Sequence, residues 1–356
     1  MSHDLHHKYS DYIYNKKVLV IGPCPPPLGG VAVHIKRVAH KLRMQNNNTR
    51  VYNTAKKYSN KLLSLVNFIK KLFNTKPNIV CYHEPTESIQ KLAITVLLRY
   101  FLRYKLITID HDCRVLYKFK NLKKFIFNFL IKKIDACVVI GNTTDQCYLD
   151  NKIEKIKNYS IESPFLPPNL DEEKTILREY PTKTDTFIKT HTPLISANAF
   201  APILVDNKDL YGFDACIELI KELKKIYSSI GIIFGICKIE TNEQKKYFEQ
   251  IKKIIKELDL ETNFYFIASS SEFWPLIKQS DIFVRPTRSD SFGISVQEAI
   301  TLGVPAIASD VCIRPQETIL FKTENTIDFV EKVMKSLSGK ISCKKPQLLS
   351  APAQQD

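Results

Sequence analysis

The strongest constraint on this chain is a rhythm. Short runs of β-branched and other apolar residues recur, each followed by a longer stretch with helical spacing. In the first half the runs fall at 18–21, 79–82, 106–109 and 136–140. They lack the in-out alternation of a strand with one wet face. Buried parallel strands look like this, because the helical crossovers that return the chain cover both faces. The rhythm breaks over 166–191, where FLPPNLDEEK and YPTKTDTF are rich in proline, threonine and charge and read as a connector. It then restarts at 194–197, 231–235, 264–268, 282–284 and 306–308, with helical patterns over 215–227 and 243–257. Strand–helix alternation twice over predicts an α/β chain of two doubly wound, Rossmann-like domains. The expected bounds are 14–165 for the first domain, 166–191 for a linker, 192–338 for the second domain and 339–356 for a peripheral tail. Ligands of such sheets sit at the carboxyl ends of the strands, beside helix N-termini, so two of them face to face would enclose a cleft.

The length of 356 residues accords with two domains. A 44% hydrophobic and 25% charged composition excludes a mostly disordered chain. The nine cysteines are irregularly spaced without a C-x-x-C pair, which points to reduced thiols and against a disulfide framework or a zinc site. The opening MSHDLHHKYSDYIYNKK has no apolar segment of signal-peptide type. The best spanning candidate, 91–110, is interrupted by Arg99, Arg103 and Lys105. A cytoplasmic protein is the expectation.

Charge is unevenly placed. Residues 1–170 hold 28 Lys and Arg against 11 Asp and Glu, while the rest holds 24 against 26, so the whole net charge of +15 resides in the first half. That half should meet something anionic. At 61–73, Leu62, Leu65, Val66, Ile69, Leu72 and Phe73 recur at helical spacing beside lysines. At 117–134, YKFKNLKKFIFNFLIKKI interleaves lysines with aromatics. Basic amphipathic helices with aromatics suit an anionic membrane surface. The same composition would serve a core-facing stripe with a solvated lysine face, or stacking on single-stranded nucleic acid.

The most informative segment is 280–310, SDIFVRPTRSDSFGISVQEAITLGVPAIASD. A strand runs into a polar loop, then into Ser291, Phe292 and Gly293, and a helix starts near Ile294. The amides of Gly293, Ile294 and Ser295 would be unpaired helix-start donors aided by the helix dipole, a setting for phosphate. Asp290 precedes the turn and Glu298 follows one helical turn inside. Carboxylates there suit the paired hydroxyls of a sugar, although an aspartate before a helix also serves as an ordinary cap. The first half has a similar element at 18–35, VLVIGPCPPPLGGVAVHI, where Gly29 and Gly30 open a helix.

Asp290-Ser291-Phe292-Gly293 through Glu298, followed by Leu302-Gly303-Val304-Pro305, resembles the signature of retaining GT-B glycosyltransferases of family 4, the glycosyl transferases group 1 and in particular bacterial surface-polysaccharide enzymes. The Gly29-Gly30 helix start and the strand ending at His111 are similar to family elements in the first domain. The resemblance implies a metal-independent, hexosyltransferase-type enzyme. It would move a sugar from a nucleotide-diphosphate sugar to a glycan or lipid-linked glycan acceptor in cell-surface polysaccharide synthesis, including lipopolysaccharide, with retention at the anomeric carbon. The donor is then a substrate, with no cofactor, no metal and no nucleic acid. It further implies His111, Asp290 and Glu298 as catalytic residues, with Asp290 on the sugar hydroxyls and Glu298 on the ribose. Gly29, Gly30, Ser291, Phe292, Gly293, Ile294 and Ser295 would bind the donor. The first domain would take the acceptor, with Glu84 facing it, while lying peripherally on the inner face of the plasma membrane.

The pattern departs from the family at two cations. No arginine occurs at 198–200, where Asn198 stands, and Tyr211 replaces the lysine expected before Gly212. Compensating charge or hydrogen bonds from Lys208, Lys238, Arg285, Arg288, Tyr211 or Asn198 would be needed. An epimerase on the same fold, or a catalytically impaired nucleotide-sugar-binding partner subunit, stand beside this expectation.

Overall fold

The computed structural model describes residues 15–25, 29–55, 60–269, 271–290 and 292–339. The chain forms two compact units, divided between Leu166 and Pro167. The expected start at residue 14 and all but the first residue of the expected tail lie outside the described residues.

The first unit holds one parallel sheet made of β1 (Lys17–Gly22), β2 (Asn48–Asn53), β3 (Ile79–His83), β4 (Lys105–Asp110), β5 (Ala136–Ile140) and β6 (Tyr159–Glu162), in the order β2-β1-β3-β4-β5-β6. Five α-helices connect them: α1 (Gly30–Met44), α2 (Lys61–Thr75), α3 (Ile89–Leu102), α4 (Asn121–Ile131) and α5 (Asn142–Asp150). The apolar runs serve both faces at once. Leu19 and Ile21 pack with residues of α2 to α5, whereas Val18 and Val20 pack with Ile35, Val38 and Leu42 of α1. The 117–134 stretch is shorter as a helix than its pattern suggests: a 3₁₀ turn at Arg114–Lys118 precedes α4.

The second unit repeats the plan with β7 (Leu194–Ala199), the short antiparallel pair β8 (Leu204–Val205) and β9 (Lys208–Asp209), then β10 (Gly231–Ile236), β11 (Phe264–Ala268), β12 (Ile282–Arg285), β13 (Ala306–Ser309) and β14 (Ile319–Phe321). Its parallel sheet has the order β11-β10-β7-β12-β13-β14. The helices are α6 (Glu173–Leu177), α7 (Thr182–Thr190), α8 (Phe213–Lys224), α9 (Asn242–Glu257), α10 (Trp274–Lys278), α11 (Ile294–Thr301) and α12 (Thr326–Leu337). A capping box between Thr241 and Gln244 starts α9.

The segment 166–191 is not a free linker. It folds into α6 and α7, and Ile176, Tyr180 and Phe187 are buried against Leu194, Ile233 and Trp274. The Tyr180 hydroxyl donates to the Glu272 carbonyl at 2.7 Å. Its apolar residues are spaced for a single packed face, which the surrounding proline and charge obscured.

Both strand orders reverse direction once, between β1 and β3 in the first sheet and between β7 and β12 in the second. Crevices form at such reversals, at the carboxyl ends of the strands. The eight described cysteines are all free thiols, and no helix among the described residues is long and apolar enough to cross a membrane.

Candidate functional site

At the reversal in the second sheet, Arg285 ends β12 and reaches across to β7. Its Nη1 donates to the Asn198 carbonyl and to Asn198 Oδ1, both at 2.8 Å. Its Nε donates to Asp290 Oδ2 at 3.1 Å. The same oxygen accepts from Arg314 Nη1 at 2.8 Å. The rest of the Arg314 fork is held by the Ser309 carbonyl (3.0 Å), Thr287 Oγ1 (3.1 Å) and Ser309 Oγ (3.2 Å). Burial acts to raise the Asp290 carboxyl, but Arg285 foremost and then Arg314 reverse this and hold it below the ordinary aspartate value. Two guanidiniums against one carboxylate leave this cluster with an excess positive charge.

Beside it, α11 starts as the spacing requires. Gly293 is the N-cap, left-handed at φ 80° and ψ 70°. The first backbone bond of the helix runs from the Val296 N–H to the Gly293 carbonyl at 2.9 Å. The amides of Gly293, Ile294 and Ser295 therefore precede the ladder. Ser295 Oγ donates to Asn198 Oδ1 at 3.1 Å, tying the helix start to the end of β7. Asp290 does not cap this helix; it is the middle of an arginine clamp, not a carboxylate at a solvent-facing mouth. A Cβ on Gly293 would stand 2.6 Å from Arg314 Nη1 and 3.5 Å from Asp290 Oδ2. Gly293→Ala is therefore expected to cost about 2 kcal/mol from the left-handed backbone and the displaced arginine together. Urea unfolding of the variant checks this, and a loss below about 0.5 kcal/mol would mean the turn relaxes freely.

Glu298 is buried on α11, and Phe292 is half-buried at the turn. Ser291 lies outside the described residues. Of the compensating cations expected from sequence, only Arg285 reaches the cluster. Its Cζ also lies 5.3 Å from the centroid of the Tyr211 ring. Arg288 is spent on Asp214 and Glu324, Lys208 on Glu324, and Lys238 on Glu240 while it covers the Phe200 ring. Arg314, Thr287 and Ser309 were not anticipated. The only sequence signal for Arg314 was an arginine in the otherwise neutral VCIRP loop after β13.

The first unit gathers its own polar cluster at its strand ends. Gly29 caps α1 in an extended conformation, with nothing near its Cβ direction, and Gly30 is the first helical residue. The glycine that packing demands here is Gly22, where a Cβ would meet Ile35 at 2.4 Å. His111 follows β4 and is joined by two histidines that sequence did not single out. His83 Nδ1 and His111 Nε2 share a hydrogen bond of 3.0 Å, and the His34 ring stands edge-on to His111 with centroids 4.7 Å apart. Burial, and then the neighbouring His34, hold His83 and His111 well below the ordinary histidine value. Glu84, left-handed at φ 57° after β3, is raised to about 7 by burial and then by Glu87 and Asp112. Asp110 is likewise raised to about 7 by burial, against the hydrogen bond from Tyr148. Asp112 is paired with Arg114, so the two carboxylates flanking His111 are engaged separately.

The histidine values carry a pH signature. Their folded pKa lies below the unfolded one, so beneath about pH 6.5 the unfolded chain binds more protons and stability falls. The raised carboxyls slope the opposite way, so the comparison is with a variant. Between pH 7 and pH 5 the wild type should lose about 1–2 kcal/mol more than His83→Gln, read from urea midpoints. Equal losses would show that His83 takes up protons in the fold as it does unfolded.

With this geometry in hand, comparisons with known proteins fall into place. Residues 207–352 match the family model for Glycosyl transferases group 1, which covers α8 to α12 and the whole arginine clamp. The Escherichia coli O-antigen biosynthesis glycosyltransferase WclY is 31% identical over 102 residues, a match covering 29% of this chain and 26% of WclY. The matched stretch thus spans about a quarter of that curated relative's length. Among solved structures, a glycosyltransferase from Rickettsia africae superposes with a TM-score of 0.64 at 16% identity, covering 92% of this chain and 90% of that one. Anabaena HepE in complex with UDP gives 0.59 at 11% identity, covering 91% and 90%. The fold is that of the GT-B glycosyltransferases, two Rossmann-like units with parallel sheets. The second unit carries the group 1 glycosyltransferase match.

Proposed function

We propose that the chain is a retaining glycosyltransferase. It moves a hexose from a nucleoside diphosphate sugar to a hydroxyl of a glycan or lipid-linked glycan in bacterial surface-polysaccharide synthesis. The observation that carries this is the net-positive clamp of Arg285, Asp290 and Arg314 set against the start of α11, at the strand-order reversal and inside the matched region. WclY, named for O-antigen biosynthesis, supports the acceptor class. The UDP bound to HepE supports a nucleotide donor.

The chemistry follows from those groups. The first-turn amides of α11 and the Arg285 guanidinium take up the charge that develops on the leaving diphosphate, so no metal is required at that position. Arg285 thereby supplies from β12 the cation that is missing at 198–200 on β7. Glu298 accepts hydrogen bonds from ribose hydroxyls. The acceptor oxygen bonds to the anomeric carbon on the face from which the diphosphate oxygen departs, and a phosphate oxygen receives the acceptor proton. Asp290 acts through the arginines it aligns.

The test is nucleotide release from a panel of donor sugars, with and without acceptor glycan. Release that depends on acceptor, with the sugar recovered on it in its original anomeric configuration, is expected. Release without acceptor, accompanied by epimerised free sugar, would replace transfer with epimerisation.

A further inference from the structure

Besides α1, three helices of the first unit contain neither aspartate nor glutamate. They are α2, α3 and α4, with sequences KLLSLVNFIKKLFNT, IQKLAITVLLRYFL and NLKKFIFNFLI. They lie side by side on one face of the sheet. Each buries one stripe, through Phe68 and Leu72, Leu92 and Val96, and Phe127 and Leu130. The outward stripes are not polar. Leu97, Tyr100 and Phe101 on α3 and Leu122, Phe125 and Phe129 on α4 are between 53% and 72% exposed. Every exposed large aromatic among the described residues falls between Phe73 and Phe129. Within 61–133 there are 15 Lys and Arg against 4 Asp and Glu.

A face kept wet for solubility looks different in this same chain. Helices α8 and α9 carry both signs in paired turns, such as Lys221 with Glu218, Lys225 with Glu222 and Lys252 with Glu249. An exposed apolar patch rimmed by charge of one sign marks an interaction surface. We propose that α3 and α4, with α2 beside them, form a docking face for an anionic lipid bilayer. The rings and leucines enter the boundary between headgroups and acyl chains, and lysines such as Lys118, Lys120, Lys123 and Lys124 meet the lipid phosphates. Charge selects this occupant: a second copy would bring another face with no carboxylate on its helices, and a polynucleotide would leave Leu97 and Leu122 without a partner. The helices lie on the bilayer, since none of those described is long and apolar enough to cross it.

Co-sedimentation with phosphatidylcholine vesicles, with and without phosphatidylglycerol, tests the proposal. Wild-type protein should pellet with the phosphatidylglycerol vesicles. The triple variant Phe101→Ser, Phe125→Ser and Phe129→Ser should partition about tenfold less or weaker still. Lys123→Glu with Lys124→Glu should lose the preference for phosphatidylglycerol. Phe125→Trp reports insertion directly, through a blue shift of its emission on vesicle addition, and needs no destabilising change. Wild-type protein left in the supernatant, an unshifted Trp emission, or a lipid-free dimer that the triple variant abolishes would overturn the proposal. Nucleotide binding is measured on the same samples, so failure of lipid docking and failure of the donor site are told apart.

Discussion

Arg314→Ala should destabilise the second unit by about 3–5 kcal/mol. The side chain is 1% exposed and its guanidinium satisfies Asp290, Thr287 and Ser309 at once. Removing it strands the Thr287 and Ser309 oxygens in the interior and takes one of its two guanidiniums from Asp290. Truncating one partner of a buried ionic group costs far more than the pair contributes, because the remaining groups have given up their water. Arg314→Lys would keep the charge but not the fork, so most of the loss should persist. Urea unfolding measures both; a loss under about 1 kcal/mol for Arg314→Ala would mean that the clamp is dispensable.

Arg285→Ala should act mainly on the ligand. Charge-assisted contacts of the kind proposed contribute roughly 1.5–3 kcal/mol, so affinity for the nucleoside diphosphate should fall between about tenfold and 150-fold. Folding should suffer less than with Arg314, because the Arg285 side chain keeps 12% of its surface exposed against 1% for Arg314. Titration calorimetry on the wild type and the variant, each checked by its melting curve, separates affinity from folding. A variant that melts normally and binds with unchanged affinity would remove Arg285 from the site.

Much of the architecture could be read from the chain. All nine apolar runs are strands, and the helix start at Ile294 is where the Ser-Phe-Gly turn places it. Apart from the short pair β8 and β9, the strands that escaped notice are β2, β6 and β14, each at the edge of a parallel sheet. An edge strand is covered less completely and needs fewer apolar residues, as the partial burial of NTRVYN in β2, with only Thr49 and Tyr52 buried, shows. The site was legible where chemistry depends on neighbours in sequence: Asp290, Gly293 and Glu298 belong to one loop and one helix. It was not legible where partners come from separate loops. Arg314 lies 24 residues beyond Asp290, and His34, His83 and His111 come from three different elements. A lone buried arginine or histidine leaves no periodic trace, since its meaning is set by what the fold brings to it. The cation absent from 198–200 illustrates the same point. The neighbouring strand supplies a guanidinium to that spot, and strand order cannot be deduced from one segment at a time.

The central claim is that the turn into α11, together with Arg285, holds a diphosphate. Calorimetric titration of the wild type, Arg285→Ala and Gly293→Ala with UDP, GDP and ADP tests it most directly. One nucleotide should bind the wild type selectively and bind both variants more weakly by about tenfold or more. Binding of no nucleotide to the wild type, or equal affinity in all three proteins, would contradict the account.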